Sequence, residues 1–203
     1  MSFVDAIIQP GYFIKSLIKI ALFLIFPFVY SKFDKGCNLK KLFKPDKKGI
    51  ATALLLGIGV YTVVLSAFLI FKNVFDFSAL TGSLTEATGV NKQNFIFVAL
   101  YISFANSLLE EFFFRGFAFL TLKGVSNRIF AYVFSSLMFA IYHIAMMIGW
   151  FGLPVILLSL LGLFAGGVIF NYINEKYDNI FLSWLIHMFA NFATNTIGFI
   201  LFG

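Results

Sequence analysis

Two histidines and one tight group of charges stand out in a chain that is otherwise almost entirely apolar. His143 and His187 are its only histidines, and each lies inside an apolar run. Glu110, Glu111 and Arg115 fall within six positions of a third such run. Side chains of these types can do acid–base chemistry: a positioned carboxylate or imidazole takes or gives a proton in a reaction, and Glu and His inside a membrane also relay protons in pumps. Glu111 and Arg115 are four apart with the acid first, which puts them on one helical face in the favourable order and predicts a structural ion pair. Glu110 points about 100° away from Glu111, and a single arginine need not neutralise two carboxylates. Each charge at mid-bilayer costs about 2.5–3.5 kcal/mol, so a spare glutamate there, with two histidines on other runs and none in loops, points to function.

The neighbours of these residues follow helical spacing. Ser183, His187, Asn191 and Asn195 recur every four residues, a polar stripe on an apolar helix, and Ser103, Ser107 and Glu110 form a second one. Both stripes call for an interior, hydrated neighbour. Phe139 lies one turn before His143 on the same face, where an aromatic wall would exclude lipid and orient the imidazole.

The elements that position these groups follow from composition. The chain is 61% hydrophobic and only 12% charged, far outside the range of a soluble domain, and charge-poor runs of about 20 residues recur along it, enough for a helix to cross some 30 Å of hydrocarbon. The alternating polarity of barrel strands is absent. The fold class expected is therefore all-α: a polytopic membrane protein of about six transmembrane helices in one bundle, with spans at residues 12–31, 50–71, 94–121, 129–149, 153–170 and 180–202. The first is the weakest, because Lys15 and Lys19 leave it an apolar run of only about 12 residues, compatible with an interfacial helix whose lysines snorkel. Residues 1–92 read as N-terminal membrane helices and a lysine-rich loop, and 93–203 as a catalytic helical core, within one continuous membrane domain. The loop from Lys32 to Gly49, with Lys35, Lys40, Lys41, Lys44, Lys47 and Lys48, is placed in the cytoplasm, and the loop with Asp76 and Glu86 and the turn at Gly149 fall outside. The +6 net charge is concentrated in that lysine loop, which argues for a membrane flank and against a nucleic-acid partner. Cys37 is the only cysteine, which excludes an internal disulfide and a thiolate metal cluster. No cleaved signal peptide is expected. Gly162 and Gly166 are expected to let a neighbouring helix approach closely, and Gly57 and Gly59 likewise serve packing.

Three segments carry a resemblance to a known family. Glu110-Glu111-Phe112-Phe113-Phe114-Arg115 resembles a Glu-Glu-x-x-x-Arg motif, Phe139-Ala140-Ile141-Tyr142-His143 a Phe-x-x-x-His motif, and His187-Met188-Phe189-Ala190-Asn191 a His-x-x-x-Asn/Asp motif. In this order they are similar to the CPBP family of intramembrane metalloprotease-like proteins, the type II CAAX prenyl-proteases and the bacteriocin-processing Abi relatives, over roughly residues 95–200. The resemblance implies an intramembrane endopeptidase acting on a membrane-associated protein or peptide, lipidated or not. It implies Glu110 as general base on a water shared with His143, with His187 and Asn191 as oxyanion donors. The metal-free form is favoured, since asparagine is a poor zinc ligand and a good oxyanion donor. Zinc is the alternative cofactor, with Glu110, His143 and His187 as ligands and an open position for water.

Two rival functions use the same residue types. A proton-coupled transporter would carry protons on the intramembrane Glu and His, but the internal symmetry and paired broken helices of such proteins are missing. A non-catalytic bacteriocin-immunity protein would bind a peptide without cutting it. The partners expected are the lipid bilayer and the peptide substrate, and the Lys-, Phe- and Ile-rich composition suggests a bacterial plasma membrane. Measured from the cytoplasmic end of each expected span, Glu110 lies about 17 Å deep, His143 about 21 Å and His187 about 10 Å. Straight, level helices would not bring them together.

Overall fold

A computed structural model describes residues 1, 3–8, 10–34, 39, 42, 47–74, 82, 85, 90–148 and 151–202. Cys37, Lys35, Lys40, Lys41, Lys44, Asp76, Glu86 and Gly149 lie outside the described residues. All regular structure among the described residues is helical. Among the described residues six helices are long and apolar enough to cross a membrane, running Phe13–Phe33, Ile50–Phe71, Phe95–Val125, Arg128–Ala145, Leu153–Tyr177 and Ile180–Phe202. The chain is a multi-pass helical membrane protein, and many of its large apolar side chains face outward, Phe97, Leu161 and Ile129 among them, as a lipid-facing surface requires.

The second and sixth spans have the limits that apolar runs predict, but the third and fifth are longer. The fifth was expected to end near residue 170 and continues to Tyr177, carrying Glu175 and Lys176 on its last turns. Glu175 explains the extension. Its carboxylate accepts from Arg128 Nη2 at 2.8 Å and from the Tyr132 hydroxyl at 2.6 Å, and pairs with Lys123 Nζ at 2.7 Å. This cluster ties the ends of the third, fourth and fifth spans, so the helix persists into charged sequence.

The third span is not a plain α-helix. Its α-helical turns alternate with π-helical stretches at Ile102–Asn106 and Phe112–Phe119, a widening that recurs at functional sites. Backbone carbonyls along this span accept bonds from other helices: Asn191 Nδ2 donates to Ile102 O at 3.1 Å, Trp184 Nε1 to Phe104 O at 3.1 Å, Asn195 Nδ2 to Ala99 O at 3.2 Å and Ser135 Oγ to Phe114 O at 2.9 Å. The polar stripe of the sixth span therefore meets the third span, and Asn195 also donates to Ser103 Oγ at 2.9 Å.

Aromatic rings hold the first span against the third and fourth. Phe23 stacks on Phe113 at 4.3 Å and meets Tyr142 edge-on at 5.5 Å, and Phe28 stacks on Phe112 at 5.2 Å; each such pair contributes roughly 0.5–1.5 kcal/mol beyond area burial. One buried cluster joins Phe23, Phe114, Phe139, Tyr142, Phe170 and Ile186, and a second joins Leu39, Leu42, Phe112 and Ile180.

The helix ends are not level, which resolves the depth mismatch. A methyl group added at Gly116 would lie 3.8 Å from Ile180 Cγ2 and 2.7 Å from Leu42 Cδ1, so the sixth span begins beside Gly116, about 13 Å before the third span ends at Val125. Leu42 fills the step beneath it. Asp178 makes the sharp turn that starts the sixth span there, with φ of 49°, and Asn179 Oδ1 accepts from the Phe181 N–H at 2.7 Å.

The glycine expectation is corrected in part. Gly57 packs on the Phe189 ring and Gly167 on the Ser136 backbone, where a methyl would come within 2.9 Å. Gly59, Gly162 and Gly166 have open space instead and line a cavity between the second and fifth spans. The second span packs along the sixth and the fifth along the fourth, so these glycines serve a void and not a helix contact.

Candidate active site

Glu110, His143 and His187 come together in the bundle interior, one ligating atom from each lying within 4.8 Å of the others. Glu110 Oε2 is 3.4 Å from His143 Nε2 and 3.6 Å from His187 Nε2. Glu110 is 1% exposed and His187 3%, and both line a cavity that opens onto them.

Each imidazole is held from behind. His143 Nδ1 lies 2.9 Å from the Phe139 carbonyl oxygen, one turn earlier on the fourth span; a carbonyl only accepts, so Nδ1 is the donor, and in the uncharged imidazole Nε2 faces Glu110 with its lone pair. His187 Nδ1 donates to Glu111 Oε1 at 2.9 Å by the same logic. A histidine anchored to a carboxylate through one nitrogen presents the other in a fixed tautomer and orientation.

Glu111 and Arg115 pair as their spacing predicts, at 3.3 Å and both fully buried. The guanidinium is flanked by aromatic rings, its carbon 3.8 Å from the Phe139 centroid and 4.9 Å from that of Phe170, a desolvated setting where such contacts reach about 2 kcal/mol. The second task of Glu111, holding His187, was not foreseen. Phe139 proves to be a hub: its ring lies 4.3 Å from His143 and 5.7 Å from His187, its carbonyl fixes the His143 tautomer, and its face supports Arg115.

Three residues that sequence reasoning left out act on Glu110. Lys19, expected to snorkel, is 4% exposed and pairs with Glu110 Oε1 at 2.5 Å. Asn106 Nδ2 donates to the same oxygen at 2.8 Å and the Tyr142 hydroxyl at 3.3 Å. Glu110 is therefore not a spare charge. Asn106 was legible as the residue one turn before Glu110, and Lys19 as a charge inside an apolar run; Tyr142 gave no signal beyond adjacency to His143. Asn191 sits one turn beyond His187, its amide donating to Ile102 O and its side chain lining the cavity.

The two carboxylate oxygens thus differ. Oε1 accepts from three donors, whereas Oε2 accepts no hydrogen bond among the described residues and faces two imidazole lone pairs. Three acceptors converging on one point suit a water molecule or a cation. They also fit zinc by ligand type, and 3.4 and 3.6 Å are close to the roughly 3.3 Å that separates ligands about 2.05 Å from a tetrahedral zinc ion.

Above this group lies a cavity of about 940 Å³, at the large end of ligand pockets, which run roughly 300–1,000 Å³. Leu55, Val60 and Val63 of the second span and Leu163 and Ile169 of the fifth wall it; Glu110, His143, His187 and Asn191 border it together. A polar Glu-His-His group thus borders an apolar chamber.

No curated protein and no solved structure shows a significant match to the chain. One family model does match, that of the Type II CAAX prenyl endopeptidase Rce1-like proteins, over residues 92–193. That stretch spans the Glu-Glu-x-x-x-Arg, Phe-x-x-x-His and His-x-x-x-Asn segments whose side chains assemble the buried site, and the chain belongs to this family of CAAX-type intramembrane proteases.

Proposed function

We propose that the protein is an endopeptidase that hydrolyses a peptide bond in a membrane-associated protein or peptide, with Glu110 as the general base. The observation that carries this is the asymmetry of the Glu110 carboxylate: one oxygen immobilised by three donors, the other turned towards His143 and His187 beside an apolar cavity.

A water bound at this point donates one hydrogen to Glu110 Oε2 and the other to His143 Nε2, leaving an oxygen lone pair for the scissile carbonyl. Glu110 takes the proton as the C–O bond forms. Asn191 offers an amide N–H to the oxyanion, and His187, uncharged at rest, offers Nε2–H after taking a proton from solvent through the cavity while Nδ1–H stays on Glu111. The C–N bond then breaks and Glu110 returns its proton to the leaving amine. Phe139, Glu111 and Arg115 keep the imidazoles in register. The apolar cavity holds the substrate's hydrophobic portion, lipid chain or side chains.

The ligand set Glu110, His143 and His187 would also hold zinc, which supplies Lewis-acid polarisation of the carbonyl when bound. Glu111, the carboxylate left to serve as base in that case, is committed to Arg115 and His187. That commitment favours the metal-free form.

The test is cleavage of quenched-fluorescent peptides, farnesylated and unmodified, by the detergent-solubilised protein, with Glu110→Gln and 1,10-phenanthroline as the two perturbations. Activity lost in Glu110→Gln and retained with the chelator is expected. Activity that survives Glu110→Gln overturns the base assignment, and activity abolished by the chelator assigns the site to zinc.

A further inference from the structure

We propose that Lys19 is the positioning residue of Glu110 and the built-in counter-ion of the site, occupying electrostatically the role that a divalent cation would otherwise take. Lys19 comes from the first span, outside the matched residues 92–193. Its ammonium pairs with Glu110 Oε1, donates to Asn106 Oδ1, and lies 4.9 Å from the Tyr142 ring centroid and 5.5 Å from that of Phe23. Asn106 and Tyr142, which contact the ammonium, are the other two donors to Oε1. One lysine thus organises the whole grip on that oxygen, and the grip dictates where Oε2 points.

The charges close with Lys19 included. Glu110 and Glu111 are matched by Lys19 and Arg115, each of the four at most 4% exposed, so the interior group is formally neutral with both imidazoles uncharged. A divalent ion taken by Oε2 and the two Nε2 atoms would share its carboxylate with an ammonium on the opposite oxygen. Like charges on one carboxylate repel strongly where water is excluded. Removing the lysine charge would leave an anionic Glu-His-His site without the ammonium that opposes a metal on the same carboxylate. This inference rests on the placement of Glu110 between the histidines and not on the peptidase reading.

Direct zinc titration of the full, detergent-solubilised chain against a chromophoric chelator tests it without any substrate. Lys19→Met and Lys19→Gln are expected to bind zinc at least about tenfold more tightly than the unsubstituted protein, and Lys19→Arg, which keeps the charge, within a few-fold of it. Adding His143→Ala to Lys19→Gln should abolish the gain. Lys19→Gln keeps an N–H donor for Oε1 and decides the matter if Lys19→Met does not fold. Zinc binding that is unchanged or weaker in Lys19→Gln overturns the proposal, as does a gain that survives His143→Ala. If the farnesylated peptide is cleaved, Lys19→Met should lower kcat with KM little changed, and Lys19→Arg should restore it. Failure of cleavage leaves the zinc result standing.

Discussion

In the proposed mechanism, the four charged groups at the centre of the bundle divide the work between holding and reacting. Glu111 holds: it anchors His187 through Nδ1 at 2.9 Å and Arg115 at 3.3 Å. Glu110 is the group proposed to react, through Oε2, the oxygen that accepts no hydrogen bond among the described residues. Glu110→Gln is expected to lower kcat/KM by about 10²–10⁴-fold, the usual worth of a positioned general base, with an unchanged melting temperature in detergent as the check that the fold persists. Asn191→Ala should lower kcat by about 10²–10³-fold with little change in KM if its amide serves the oxyanion, measured on the same peptide. Glu111→Gln differs in kind. It strands the buried Arg115, so thermal or denaturant unfolding should show a loss of roughly 3–5 kcal/mol, and activity should fall as His187 loses its orientation.

At the scale of the elements, the third and sixth spans bring Glu110 and His187 together, and their fit depends on the π-helical turns of the third and the late start of the sixth. Glycines report which faces are packed and which are open. Gly167 abuts the Ser136 backbone, whereas Gly162, five residues earlier on the same helix, faces the cavity. Gly167→Leu should therefore destabilise the protein by about 1–3 kcal/mol, the range for overpacking, read as a lowered unfolding midpoint. Gly162→Leu should leave the midpoint in place and raise KM for a lipidated peptide, because the added side chain takes space the substrate needs. Equal destabilisation by both substitutions would mean that the fifth span closes on the second in the membrane.

For the molecule as a whole, outward-facing Phe97 and Leu161 belong to the belt that meets lipid. A bimane label on Phe97→Cys or Leu161→Cys, in a Cys37→Ser background, should be quenched by brominated acyl chains in reconstituted vesicles; an unquenched label at both positions would place them against another protein surface. The first span completes the molecule by supplying Lys19 to the centre, so the site draws on a helix some ninety residues away in the chain.

By itself the sequence determined the class of the fold and the chemical cast of the site. Apolar runs of membrane-spanning length specify helices because unpaired backbone groups are not tolerated in hydrocarbon, and charges or imidazoles inside such runs are costly enough to mark function. Hence Glu110, Glu111, Arg115, His143 and His187 were legible from type and position, and the Glu111–Arg115 pair from helical spacing alone. What lies between helices was not legible, because periodicity records which face a residue is on and nothing about what stands opposite. Only the tertiary structure decided that Lys19 meets Glu110 instead of snorkelling, that Glu111 holds His187, and that Gly162 and Gly166 line a void. It also brought residues of unequal expected depth to one level. Short-range spacing sets each helix, but offsets between helix ends and the π-helical turns are set by packing against partners distant in the chain, and these decide which side chains meet.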